Sequence, residues 1–153
     1  PEYQLATEDS FFLAERANQV KIINWLKNHP THKLIVLDSV STLFGLEDEN
    51  SNSEWNNKIS PFLRDLRALG VACLLLHHSG KGEKKGLRGA SAMGAMAHNI
   101  FRIIPHPDKE EGQAWFKLTK EKQRAAGKVF RDFSLRFTQN EKETITQWEH
   151  KEL

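Results

Sequence analysis

Asp38 follows the apolar run Leu34-Ile35-Val36-Leu37 and precedes Ser39. A carboxylate there sits at the C-terminal end of a buried strand, where open α/β sheets bind ligands and where such an aspartate holds Mg²⁺ through water. His77 and His78 end a second apolar run, 71–76, and belong at the same rim. A strand-end histidine can sense a γ-phosphate by hydrogen bond or ligate a metal. Side-chain alternation lets only one of the two point into a site. The loop that follows carries Lys81, Lys84, Lys85 and Arg88 threaded by Gly80, Gly82, Gly86 and Gly89, a cationic stretch suited to a phosphate backbone. It holds no aromatic residue, so base stacking is not expected from it. Gly80-Lys81-Gly82 is not a phosphate-cradling loop, because G-x-x-x-x-G-K-[ST] would need a glycine at Leu75 and a hydroxyl at Gly82. Lys122 and Arg124 flank Gln123 just past another apolar strand. As a basic pair at a hairpin they could reach a neighbouring subunit's γ-phosphate.

The elements that position these residues alternate in type. Leu13, Ala17, Val20 and Ile23 recur at helical spacing from a cap at Asp9-Ser10 to about Lys27, and Pro30 ends that helix. Residues 34–38 read as a fully buried parallel strand. The polar run 45–54 reads as a loop too polar to pack, with the acidic residues Glu47-Asp48-Glu49 assigned to solvent. Ile59, Phe62, Leu63, Leu66 and Leu69 form a helical stripe stopped by Gly70, and Pro61 either starts that helix, with Ser60 as its cap, or kinks it. Residues 71–76 are a second buried strand, 90–98 a small-residue helix and 99–104 a third strand of a doubly wound pattern. Beyond it, 115–119, the alternation Phe133/Leu135/Phe137 and 144–148 read as antiparallel strands, with turns at His106-Pro107-Asp108 and Ala125-Ala126-Gly127. The four tryptophans at 25, 55, 115 and 148 read as packing residues. The fold class is therefore α/β, a partial parallel sheet with flanking helices followed by antiparallel C-terminal strands. It is one domain made of an α/β half, 1–104, and a β extension, 105–153.

Composition bounds the function. The 153 residues suit one domain, and 39% hydrophobic with 27% charged content is that of an ordinary globular protein. A net charge of +2 means that nucleic-acid affinity has to come from local clusters of cations. The single cysteine, Cys73, excludes a disulfide framework and fits a reducing, cytoplasmic setting. No apolar stretch approaches the ~20 residues of a membrane span. The chain opens on Pro1 without a methionine, which hints at a piece of something longer.

Taken in order, LIVLDSVSTLF, DENSNSEWNNKISPFLRDLRALGVACLLLHHSGK, LRGASAM and KEKQR resemble the second half of a RecA-like hexameric ATPase. The resemblance runs from about 33 to 137 and is to the RepA/DnaB-type replicative helicases and the related AAA-family ATPases of phages and mobile elements. It implies Asp38 as the Walker B aspartate on Mg²⁺, His78 as the γ-phosphate sensor with His77 second, and 79–89 as a DNA-facing loop. Lys122 and Arg124 would be basic fingers acting on an adjacent subunit. It also implies ATP and Mg²⁺ as cofactors of the parent protein, single-stranded DNA as partner and a homo-oligomeric ring. The sequence departs from the family in three ways. It contains no Walker A motif, so this chain alone is not expected to hydrolyse ATP. The catalytic glutamate is not identifiable, Glu2 and Glu8 being unconvincing, and His98 stands where relatives often carry Asp. A missing P-loop strand would leave a gap between strands 71–76 and 99–104, to be closed by pairing them directly or by a second molecule in a dimer or swap. Two other readings remain: a non-catalytic nucleic-acid-binding or regulatory module, and a metal-dependent hydrolase using Asp38, His77, His78 and His98.

Overall fold

The computed structural model describes residues 12–78, 91–109, 114–124, 131–139 and 145–152. The chain divides into two compact units, Pro1–Met96 and Ala97–Leu153. The first is α/β, with a small parallel sheet and helices, and the second is a four-stranded antiparallel sheet. The lysine and arginine positions 81, 84, 85 and 88 lie outside the described residues, as do the expected cap at Asp9-Ser10 and the turn at 125–127.

Helix α1 (Arg16–Asn28) buries Gln19, Ile23 and Leu26; of the expected stripe Leu13 and Ile23 are buried, while Ala17 and Val20 are exposed. Gln19 holds its place because each need of its amide is met. Its Nε2 donates to the Leu13 and Lys58 carbonyls at 2.7 Å, and its Oε1 accepts from Arg16 at 2.9 Å. A buried polar group with partners carries little penalty, so the glutamine displaced the apolar reading.

Strand β1 (Leu34–Leu37) pairs in parallel with β2 (Ala72–Leu75), Leu37 opposite Leu75. Neither strand is buried on both faces. Leu37 is buried, and Ile35, Cys73 and Leu75 pack against the core formed with Phe44, Trp55, Ile59, Phe62 and Leu66. Leu34, Val36 and Leu74 on the other face are 58%, 51% and 48% exposed. The continuous apolar run thus reports a strand with one open face. Burial pushes the Cys73 thiol up to about 11, so the only cysteine is a poor nucleophile.

After β1, α2 (Val40–Phe44) ends at Gly45, and a short α3 (Asn52–Glu54) runs through a π-helical turn (Trp55–Ile59) into α4 (Ser60–Ala68). Pro61 lies at the start of α4 within a helical run that continues through it. The wider turn before it accommodates the residue that cannot donate an i→i−4 bond. Ile59, Phe62 and Leu66 are buried as expected. Gly70 then ends the helix in the left-handed region (φ 67°), with Val71 N–H donating to the Leu66 carbonyl at 3.0 Å. Helix α5 (Ser91–Met96) completes this unit.

In the second unit β3 (Asn99–Pro105), β4 (Ala114–Gln123), β5 (Phe133–Gln139) and β6 (Ile145–Glu152) form a meander in that order. Strand 99–104, expected as the third parallel strand, instead pairs antiparallel with β4, Ile103 opposite Leu118. Direct pairing of strands 71–76 and 99–104 is therefore not how either edge is satisfied. The sequence pattern could not separate these outcomes, because an alternating apolar strand fits either sheet.

Gly45 (φ 53°) and Gly70 both occupy the left-handed region, but a Cβ at Gly45 would run into the Phe12 ring, whereas Gly70 faces open space. Urea unfolding should show a loss of about 1 kcal/mol for Gly70→Ala and a clearly larger one for Gly45→Ala. Equal losses would contradict the packing of Phe12 on that turn.

Candidate functional site

Two hydrogen bonds extend the parallel pair beyond its last regular residues. Leu76 N–H donates to the Leu37 carbonyl at 2.9 Å, and Val40 N–H donates to the Leu76 carbonyl at 3.0 Å. They fix the Asp38-Ser39 corner against the chain entering His77 and His78, and the peptide between Asp38 and Ser39 is cis. Asp38 and His78 are exposed and continue the alternation of the open face. His77 turns to the covered face, its side chain only 11% exposed, with its ring edge-on to Trp55 at 5.8 Å. The strand-end residues expected at one rim are thus together, on opposite sides of the sheet.

In the polar run 45–54, Glu47 and Asp48 are exposed as expected, while Glu49, its side chain 42% exposed, is tied to its neighbours. Glu49 accepts a hydrogen bond from the Ser41 hydroxyl, and its other oxygen lies 3.8 Å from His77 Nε2. That separation is an ion-pair distance and too long for a hydrogen bond. Neither ring nitrogen of His77 has a hydrogen-bond partner among the described residues. The Glu49 carbonyl accepts from Trp55 Nε1 at 2.9 Å, and Ser51 caps α3 by accepting from Glu54 N–H at 3.3 Å. Glu54 in turn accepts from the backbone of Glu47 and Asp48 and from Lys58 at 2.6 Å. The lysine bond first, and then the backbone bond from Asp48, hold the Glu54 carboxyl below the usual range. Asn52 Oδ1 accepts from the Ala92 N–H at 2.9 Å and the Ser91 hydroxyl at 3.1 Å. One short segment, Glu49–Asn52, therefore touches both the residue that leads into 79–90 and the residues that follow it.

Glu49, Ser41 and Asn52 were missed by sequence reasoning. The signal that could have found them is Ser51-x-x-Glu54, a capping-box pattern that starts a helix inside the supposed loop. Trp55 is a core residue as expected, while Trp148 is 61% exposed.

Lys122 and Arg124 lie in the second unit, at the end of β4. Arg124 N–H donates to the His98 carbonyl at 2.9 Å. Desolvation, and then the neighbouring Arg124 charge, hold the Lys122 ammonium below its ordinary range. No group of three histidine, cysteine, aspartate or glutamate side chains that could hold a metal is found among the described residues. No helix among them is long and apolar enough to cross a membrane.

Residues 2–84, more than half of the chain, match the family model of the AAA domain. The chain belongs to that family. No curated protein and no solved structure matches it. The matched stretch of this AAA domain contains Asp38, His77 and His78 and the contacts of Glu49 between them. AAA ATPases use a nucleotide and Mg²⁺, and the two halves of that requirement fare differently here. At the strand end Asp38 is exposed, and the Ser39 and Thr42 hydroxyls that follow it bond each other at 3.2 Å. No Walker A sequence is present to cradle the phosphates.

If Glu49 ties the rim together through Ser41, the two side chains should be coupled. A double-mutant cycle of Ser41→Ala and Glu49→Ala should return about 1–2 kcal/mol of interaction energy in urea unfolding. A coupling near zero would show that the contact contributes nothing.

Proposed function

We propose that this AAA domain supplies the acidic and sensing half of an ATP site that is coupled to DNA. Asp38 holds Mg²⁺ through water. His78, which shares the open side of the sheet with Asp38, reads the γ-phosphate, and His77 is the second sensor. When bound, the ion offsets phosphate charge. The chain's own residues orient the ion's waters and report occupancy to the segment that follows. Lys81, Lys84, Lys85 and Arg88 in that segment contact the phosphates of single-stranded DNA. Lys122 and Arg124 act on the nucleotide of a neighbouring subunit in a homo-oligomeric ring, as in a replicative helicase.

The observation that carries the reading is that Glu49–Asn52 lies against both flanks of 79–90, with Glu49 3.8 Å from His77 and Asn52 hydrogen-bonded to Ser91 and Ala92. A change at the strand ends then reaches the basic segment through packed groups, with no long path to cross. Phosphate binding itself comes from a P-loop that this sequence does not contain, so the chain alone does not hydrolyse ATP.

Calorimetric titration of the chain with Mg²⁺ and a non-hydrolysable ATP analogue tests this division of labour. The expected result is no binding tighter than about 1 mM, which corresponds to roughly −4 kcal/mol. Micromolar binding that Asp38→Ala abolishes would mean a complete nucleotide site without a Walker A loop, and the half-site reading would fall.

A further inference from the structure

At the other end of the parallel strands from Asp38, the turn that leads into β1 and the turn that leads into β2 enclose a cavity of about 160 Å³. Leu26, Pro30, Leu69 and Val71 give it apolar walls, and Lys27, Lys33 and His32 complete its lining. The first of these turns is pinned from several sides. His29 Nδ1 donates to the Trp25 carbonyl at 2.7 Å, and the two rings stack at 4.0 Å and 16°. His32 N–H donates to the His29 carbonyl at 3.0 Å, and the His32 ring sits edge-on to Trp25 at 4.8 Å. The Lys33 carbonyl accepts from Ala72 N–H at 2.8 Å, which joins the first turn to the start of β2. The walls of the cavity are therefore built by the fold itself. We propose that it is a binding site for a small organic carboxylate with an apolar body the size of a benzene ring, apart from the Asp38 rim and independent of the ATP-site reading.

Size, charge and one unsatisfied nitrogen point to that class. A cavity of about 150 Å³ with apolar walls takes up benzene, so the volume here matches one six-membered ring. The surroundings are cationic throughout. Residues 24–37 and 66–77, which supply the whole lining, contain Lys27, Lys33 and Arg67 and no aspartate or glutamate. Lys27 and Lys33 are exposed and form no ion pair with a described residue, so their charge is available to an anion. Lys27 and Arg67 also stand in the last turns of α1 and α4, where a cation suits the helix end. Lys33, which precedes β1, serves no helix end. The repulsion that two helix ends would offer an anion is blunted, because the carbonyls of Trp25, Leu26, Leu66 and Arg67 already accept hydrogen bonds. His32 Nδ1 is buried without a hydrogen-bond partner among the described residues. A bare nitrogen is a cheaper orphan than an N–H, which puts the ring proton on Nε2 and makes His32 a further donor. Two ammonium groups and an imidazole N–H beside apolar walls suit a carboxylate that carries a ring. A bare inorganic anion would leave those walls unfilled.

The test titrates sodium benzoate into the ¹⁵N-labelled full chain at constant pH and sodium concentration. Saturable amide shifts should centre on Lys27, His32, Lys33, Leu69 and Val71, with the Trp25 indole N–H moving alongside. They should fit a Kd of about 1 mM or below, within reach of a ligand this small. Lys27→Ala and Lys33→Ala combined should weaken binding about tenfold or more, and both lysines are exposed, so the fold does not depend on them. Benzyl alcohol, which keeps the ring and lacks the charge, should bind more weakly by a similar factor. Inorganic phosphate should produce no saturable shift at these residues. Equal binding of benzyl alcohol, or an unchanged affinity in the folded double variant, would overturn the proposal by removing the role of charge. Saturable shifts of the same residues with phosphate would overturn it as well, since any small anion would then serve. So would benzoate shifts that centre elsewhere or do not saturate, a readout on the unmutated chain that involves no variant. Neither Asp38 nor a nucleotide takes part, so the titration with the ATP analogue stands or falls separately.

Discussion

Everything proposed for the α/β unit depends on a two-strand parallel ladder that is held closed past its regular end. A pair of parallel strands is weak by itself, and here only one face is covered. The bonds of Leu76 and Val40 carry the ladder into the Asp38 corner, and the helical run from Asn52 to Ala68 packs against its covered face. Glu49 stands where these meet. It takes the Ser41 hydroxyl from the element after Asp38 and faces His77 from the element after β2. If this contact were lost, the two strand ends would still be neighbours, but they would no longer share a side chain.

The site has two sides with different physical characters. On the open side, Asp38 and His78 meet solvent. On the covered side, His77 is nearly buried against Trp55, without a hydrogen bond and within reach of a carboxylate. A polar ring left unsatisfied in that way is costly, so a small shift that brings Glu49 and His77 together has something to gain. The segment that contains Glu49 also holds Ser91 and Ala92. One short segment thus touches residues on both sides of 79–90 in the sequence.

The sequence showed these features unequally, and the reasons are physical. The Asp38 and His77-His78 strand ends were legible because apolar runs that stop at polar residues mark the rim of a sheet. The Ile59, Phe62 and Leu66 stripe was legible because helical spacing survives any neighbour. Glu49 was not legible, because a carboxylate in an acidic run reads as solvated until its capping context at Ser51-x-x-Glu54 is considered. Of the stripe expected in the first helix, Leu13 and Ile23 were legible, but Val20 was misread because Gln19, its amide satisfied by the Leu13 and Lys58 carbonyls, takes the core position beside it. The one-sided burial of β1 and β2 and the antiparallel fate of strand 99–104 depend on which strands come to lie alongside, and periodicity is silent on that.

The central claim is that Asp38 is the ion-holding carboxylate of the rim, and paramagnetic relaxation tests it most directly. Mn²⁺ added in place of Mg²⁺ to the ¹⁵N-labelled chain broadens amide signals according to their distance from the ion. The account predicts that broadening centres on Asp38, Ser39 and Val40 and disappears in Asp38→Asn. Broadening centred on Glu47 and Asp48, or unchanged in Asp38→Asn, would contradict it.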